Sequence, residues 1–407
     1  MDLPSPVVLK YYLYKSTKAV GFYRPILFIF LLAKGLTFTQ ITILEALYGA
    51  TTLLMEVPTG YVGDRMGRRN SLLIGTVLIT GSLVAIGFSS SFAVLALLWV
   101  VWSLGYNFRS GSDDAWLYDV LTERLDSEKF AHIRGRGTAA ALAVGALGSV
   151  VGGYLAEIDL SIPFFVAAFV TSLGFVVLLT LPETEEHATS TDDPLSFEEA
   201  LSIVRTAATS RTLRSFILYY FVVFMIAIEI IIVYIQPVTE DVVVGLGSEG
   251  AIEPLLGWMY ALFALLAAAI SYNTGWIERH VGIKRWFLLV PFLIGGGLLA
   301  GLIHPLFVIP TVIFARSIFD TGHSLARTYV NDNIESVGRA TVISAMAMVS
   351  SIAVIPAQVL SGVLSDAYSP LSTLVVVGGF LVVGSALVLA WDSPVKTAVT
   401  PPAEPSD

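Results

Sequence analysis

Charged side chains interrupt long apolar runs in this 407-residue sequence. They are Arg24, Glu45, Arg109, Asp113, Asp114, Glu229, Arg316 and Asp320, with His323 beside them. An ionised group among apolar residues must pair, face water or carry a function, because leaving it bare costs several kcal/mol. Arg109 and Asp113 stand four residues apart, as do Arg316 and Asp320, so on one helix each pair can satisfy itself. Glu229 is the sole carboxylate in FMIAIEIIIVY, and Asp114 has no basic residue three or four positions away. These two are read as the better proton-carrying candidates, and His323 adds a group that ordinarily titrates near neutrality. A second chemistry is gathered in GYVGDRMGRR, residues 60–69. Gly60, Gly63 and Gly67 let helices and a tight turn approach closely, while Asp64, Arg65, Arg68 and Arg69 can form charge-assisted hydrogen bonds. No nucleophile, base and orienting group occur at a recognisable spacing, so catalysis is not expected. No GxxxxGK followed by Ser or Thr is present, which argues against ATP as the energy source. With no cysteine and five scattered histidines, no metal or cofactor set is expected.

The elements that must position these groups follow from composition. The chain is 55% hydrophobic and 14% charged, with a mean hydropathy of +0.78. Soluble domains carry about 25% charged residues, so the partner of this surface is expected to be a lipid bilayer. The net charge of −9 comes mostly from polar stretches such as PETEEHATSTDDPLSFEEA, and nothing resembles a basic patch for nucleic acid. The start, MDLPSPVVLKYYLYK, lacks the order of a cleaved signal, so its apolar stretch is expected to remain as a membrane helix. A span needs about 20 apolar residues, and such windows recur. They run Leu9–Ala33, Phe38–Gly60, Leu72–Phe88, Phe92–Val120, Thr138–Ala156 and Pro163–Leu181, then Phe216–Gln236, Pro254–Asn273, Trp286–Ile303, Leu306–Thr328, Thr341–Leu364 and Leu371–Trp391. The expected organisation is a bundle over 1–181, a polar linker over 182–215 with a surface helix at Leu195–Arg205, a second bundle over 216–391, and a disordered tail over 392–407. Placing both termini inside the cell puts every loop lysine and arginine on that side except Lys34, as positive-inside topology requires. At ~1.5 Å per residue Arg24 and Glu45 fall near one depth, which makes them an expected pair.

The two halves repeat. GYVGDRMGRR from Gly60 is answered by GWIERHVGIKR from Gly275, the Arg–Asp pair of the fourth span by that of the tenth, and GGYLAEID by SGVLSDAY. Duplication of six helices is a transporter signature. On these residues the chain resembles the major facilitator superfamily. The resemblance implies an all-α polytopic membrane protein of 12 transmembrane helices in two pseudo-symmetric six-helix bundles. It implies that Gly60 to Arg69 form a conformational latch with Asp119 as partner, and that a site lies between helices 1, 4, 7 and 10. Arg279 stands where Asp64 stands in the first copy, so the second latch is degenerate. GALGSVVGG resembles the antiporter motif of the family, with Ser149 in place of a proline and Val144 in place of a glycine; its small residues also suit close helix packing.

The implied function is secondary transport of a small-molecule substrate across the cell membrane by a monomer, powered by a proton gradient. Efflux of drug-like lipophilic compounds is one reading. It would use Glu229 and the aromatic run Trp99, Trp102, Tyr106 and Trp116, which could equally serve contacts with lipid or neighbouring helices. The alternative is proton- or sodium-coupled movement of a small organic anion, using Arg24, Arg109 and Arg316. A non-transporting receptor or scaffold would keep the fold with its charges internally paired.

Overall fold

The computed structural model describes residues 5–124, 127–183, 213–247, 250–333 and 339–396. Most of the expected linker, including Leu195–Arg205, and the tail beyond Lys396 lie outside the described residues. Twelve long helices follow one another, with no strand among the described residues. They are α1 Pro6–Ala33, α2 Phe38–Met66, α3 Arg68–Phe88, α4 Phe92–Glu123, α5 Phe130–Ile158 and α6 Ile162–Leu179. The second six are α7 Arg214–Gly245, α8 Ile252–Tyr272, α9 Ile283–Leu299, α10 Val308–Asp332, α11 Arg339–Ala367 and α12 Pro370–Trp391. Among the described residues, eleven helical segments are long and apolar enough to cross a membrane. The remaining helix, α2, has the length at 29 residues but carries Glu45, Glu56, Asp64 and Arg65, which lower its hydropathy.

By compactness the chain divides into two units. One comprises Met1–Pro194, Val233–Leu266 and Ile355–Thr373; the other comprises Leu195–Ile232, Ala267–Val354 and Leu374–Asp407.

In the first unit, helices approach through glycine, as expected where lipid gives no hydrophobic drive for helix association. A Cβ on Gly152 would strike the Phe22 carbonyl of α1, and one on Gly153 would lie 2.6 Å from the Glu253 carbonyl of α8. The GALGSVVGG segment therefore packs α5 against two partners. Pro25 interrupts α1, which passes through a single 3₁₀ turn, Arg24–Ile26, before resuming at Leu27–Ala33. Gly111, with φ +72°, interrupts α4 between Arg109 and Ser112.

The second unit uses the same device, Gly295 packing against Gly378 and Gly297 against Thr311. Phe216, Tyr220, Phe287 and Tyr329 form an aromatic cluster, with Phe216 and Tyr329 at 4.4 Å. Between Ile217 and Phe224 α7 widens into a π-helical stretch, a form that often marks functional segments. Just past α12, the Lys396 ammonium holds the Asp392 carboxylate below the usual carboxylate range, and Tyr329 Oη donates to the Pro394 carbonyl. The repeat is visible in the backbone. Gly67 before α3 has φ +89° and ψ 142°, and Gly282 before α9 has φ +79° and ψ 143°.

Candidate functional site

The sequence-expected charges fall into distinct settings. At the basic end of the first unit, Asp113 is buried between two ammonium groups, Lys15 Nζ at 2.8 Å and Lys18 Nζ at 2.6 Å. Asp114 faces Arg134 Nε at 2.7 Å and Lys15 at 3.8 Å. The Arg109 Nε donates to Tyr14 Oη at 3.1 Å, and its guanidinium lies 5.3 Å from that ring. Two expectations are corrected here. Arg109 and Asp113 do not form a one-helix pair, because Gly111 breaks the helix between them. Asp114 has partners, which the tertiary fold brings from α5 and α1. Buried charges in low dielectric persist only with close counter-charges, which this network supplies for Asp113 and Asp114; Arg109 is held by the Tyr14 hydroxyl and ring, and its Nη2 is buried without a hydrogen-bond partner.

The glycine loop forms part of the same end. Arg68 pairs with Asp64 on its own side and reaches Asp119 at 3.9 Å. Arg69 Nη1 pairs with Glu183 at 3.0 Å, and Arg65 lies 4.5 Å from the Tyr61 ring centroid. Gly63 fits against Ser71, while Gly60 has open space beside it. In the second copy Arg279 Nε turns back to the Gly275 carbonyl at 3.0 Å, and among the described residues that loop makes no cross-helix ion pair.

Deeper in the first unit Arg24 is half-buried at the 3₁₀ turn of α1, its guanidinium 5.8 Å from the Phe28 ring. Glu45, Tyr260, Tyr23 and Tyr48 are its electrostatic neighbours. The expected Arg24–Glu45 ion pair is not formed: Glu45 accepts from Trp99 Nε1 at 3.2 Å. The aromatic run of α4 faces inward. Trp102 is buried, with Tyr23 at 5.6 Å, Tyr48 at 5.6 Å and Tyr106 at 6.0 Å. Trp116 stacks on Tyr11 and donates to the Pro182 carbonyl.

Sequence reasoning missed Gln236. This fully buried amide accepts from the Phe28 and Ile29 N–H groups at 2.8 and 3.4 Å, and donates to the Arg24 carbonyl and Tyr260 Oη at 2.8 and 2.9 Å. A helix leaves its first N–H groups without intrahelical partners, so a glutamine from α7 here caps the resumed segment of α1. The signal was Pro25, which forces such a break. Nearby, Asp366 of α11 caps the start of α2, accepting from Phe38 and Thr39 N–H at 2.8 and 2.9 Å.

In the second unit α10 is continuous, and Arg316, Asp320 and His323 lie off its buried stripe. Arg316 stands 5.9 Å from the Phe319 ring centroid rather than ion-pairing with the exposed Asp320. His323 stacks on Phe319, and its Nδ1 is buried without a hydrogen-bond partner. Glu229 of α7, isolated in sequence, has an interaction of its own in the fold. Among the described residues no three His, Cys, Asp or Glu side chains are placed to hold a metal ion.

The Major Facilitator Superfamily profile matches residues 19–355. An uncharacterized MFS-type transporter, YxaM of Bacillus subtilis, is 25% identical over 375 residues, 90% of each chain. The quinolone resistance protein NorA of Staphylococcus aureus is 22% identical over 183 residues, 45% of this chain and 46% of that one. In fold, the nucleoside transporter NupG superposes with a TM-score of 0.78 at 13% identity, covering 95% of this chain and 98% of that one.

Proposed function

Since the chain belongs to the Major Facilitator Superfamily, we propose that it is a secondary active transporter that exports a small amphipathic solute in exchange for protons. The basic end faces the cytoplasm in this reading, with both termini inside. The observation that carries it is α2. This helix of 29 residues spans about 43 Å at ~1.5 Å per residue and has a breakable polar tie at each end. At its start, Asp366 caps the Phe38 and Thr39 N–H groups; at its finish, Asp64 and Asp119 hold Arg68. Alternate opening of two sides needs contacts that can be made and released at each side, and polar ties suit that better than a packed apolar seam. The likeness to NorA, a quinolone resistance protein, supports export as the direction.

Asp113 and Asp114 sit among cations in a network that serves structure. Asp320 and His323, off the buried stripe of α10, and Glu229 on α7 are assigned to proton movement, and the gate residues Gly60 to Arg69 with Asp119 to conformational control. Intramembrane carboxylates of this kind are proton relays by default.

The test is a proteoliposome assay with an imposed pH gradient and an internal pH-sensitive dye, comparing the wild type with Glu229→Gln and Asp320→Asn. Substrate-driven proton flux lost in either variant, with protein still folded, supports the assignment. Transport that proceeds without proton flux, or that follows a sodium gradient instead, removes the coupling half of it.

A further inference from the structure

Within that transporter reading, we propose that Arg24 and Trp102 form an anion-recognising site, and that the cargo is an aromatic compound bearing a carboxylate or a comparable oxyanion. Arg24 stands half-buried inside the helical unit, and among the described residues its guanidinium donates no hydrogen bond and has no ion pair within 4 Å. A guanidinium presents five N–H donors in a rigid fork matched to a planar oxyanion. A second donor without a partner is nearby on the same aromatic wall: Trp102 Nε1, on a side chain only 3% exposed. Trp102 Nε1 is a buried donor, and buried donors are nearly always satisfied, so together with the half-buried Arg24 fork it calls for a ligand rich in acceptors.

The remaining chemistry of the wall agrees. Glu45 is engaged by Trp99 Nε1 and leaves the Arg24 fork to other acceptors. Tyr23 and Tyr106 share a hydroxyl contact of 3.2 Å, and Tyr48 and Tyr106 both stand edge-on to nearby rings at 5.6–6.2 Å. Tyr48 and Tyr106 are half-buried, and such faces accept a planar apolar body by edge and face contact. The Arg24 backbone is also fixed: its carbonyl is held by Gln236 Nε2 at 2.8 Å. A pinned backbone aims the fork reproducibly, and charge-assisted bidentate bonds gain most from such geometry.

The experiment is isothermal titration of the full chain in nanodiscs with three probes of one shape: 2-naphthoate, 2-naphthamide and 2-naphthylmethylammonium. Expected is a preference for naphthoate over the ammonium probe of about tenfold or more, which Arg24→Gln abolishes without changing naphthamide binding. Arg24→Lys retains part of the preference, since it keeps charge and loses the fork. Glu45→Gln strengthens naphthoate binding by removing a like charge, and Trp102→Phe weakens it severalfold. A tighter ammonium probe that is lost in Glu45→Gln overturns the proposal, because the selecting charge is then the carboxylate. Equal binding of all three probes overturns it as well. If Arg24→Gln fails to fold, the wild-type order together with the Glu45→Gln and Trp102→Phe titrations decides the matter. Running the proton-flux assay on the same preparations separates the two readings: cation preference with intact proton-coupled transport removes only this site, and Arg24-dependent naphthoate binding without proton flux removes only the coupling.

Discussion

On α4, Arg109 and Asp113 are drawn apart into different partnerships, whereas on α10 Arg316 and Asp320, at the same spacing, stay on one unbroken helix and face outward from its packed stripe. The sequences are nearly interchangeable at these positions. The difference arises from Gly111, whose φ of +72° ends the first segment of α4 and lets Asp113 begin a new one pointed at Lys15 and Lys18. One copy thus ties helices together through buried charge, and the other leaves Arg316 against the Phe319 ring and Asp320 exposed. A buried charge network and a functional charge cannot be told apart by residue type; they differ in whether counter-charges are already in contact.

That contrast can be broken first at the carboxylates. Asp113→Asn takes the counter-charge from Lys18 and leaves Lys15 only Asp114 at 3.8 Å, and breaking a buried pair costs about 3–5 kcal/mol, with the lower part of that range expected because Lys18 is partly exposed and Lys15 keeps a partner. The loss is read from thermal unfolding in detergent. Asp320→Asn is expected to change stability by less than about 0.5 kcal/mol while altering transport. Equal destabilisation by both variants would erase the distinction between the copies.

Next in size is Gln236→Leu, which leaves Phe28 N–H and the Arg24 carbonyl without that partner, at a cost of about 1–3 kcal/mol. Because the chain has no cysteine, a single Thr39→Cys probe can report on the start of α2. Labelling should speed up in the Gln236→Leu background. Unchanged labelling would mean that the amide serves only the fold of α1.

The smallest stability effect is expected at the loop. Arg68→Ala removes a partly exposed ion pair worth about 0–1 kcal/mol. Its transport rate should nevertheless fall severalfold, while Arg279→Ala, at the place of Asp64 in the second-half loop, leaves the rate unchanged. Equal effects at both loops would show that the two copies work alike.

Much of the architecture was legible beforehand. The succession of long apolar helices followed from hydropathy, because a bilayer imposes length and apolarity on each helix locally, and the family followed from the motif resemblance. The charge pairing of the glycine loop was legible because turn glycines and their flanking charges are adjacent in sequence. Asp119 was reachable only through the family resemblance, and Arg68 stands within 3.9 Å of it. The partners of Asp114, the failed Arg24–Glu45 pair and the cap from Gln236 were not legible, since each joins residues from different helices whose rotation about their axes the sequence leaves open.

By itself, then, the sequence determined that the chain is a succession of helices long and apolar enough to cross a membrane, a consequence of local polarity and spacing, while helix ends such as Phe130 and Met66 lie several residues beyond the apolar windows. Only the tertiary structure decided which charges are already neutralised and which donors remain to meet a ligand. The reason is geometric: electrostatic and hydrogen-bond contacts act over a few ångströms, and those distances are set by how helices pack, at Gly152 and Gly153 as much as at Arg24.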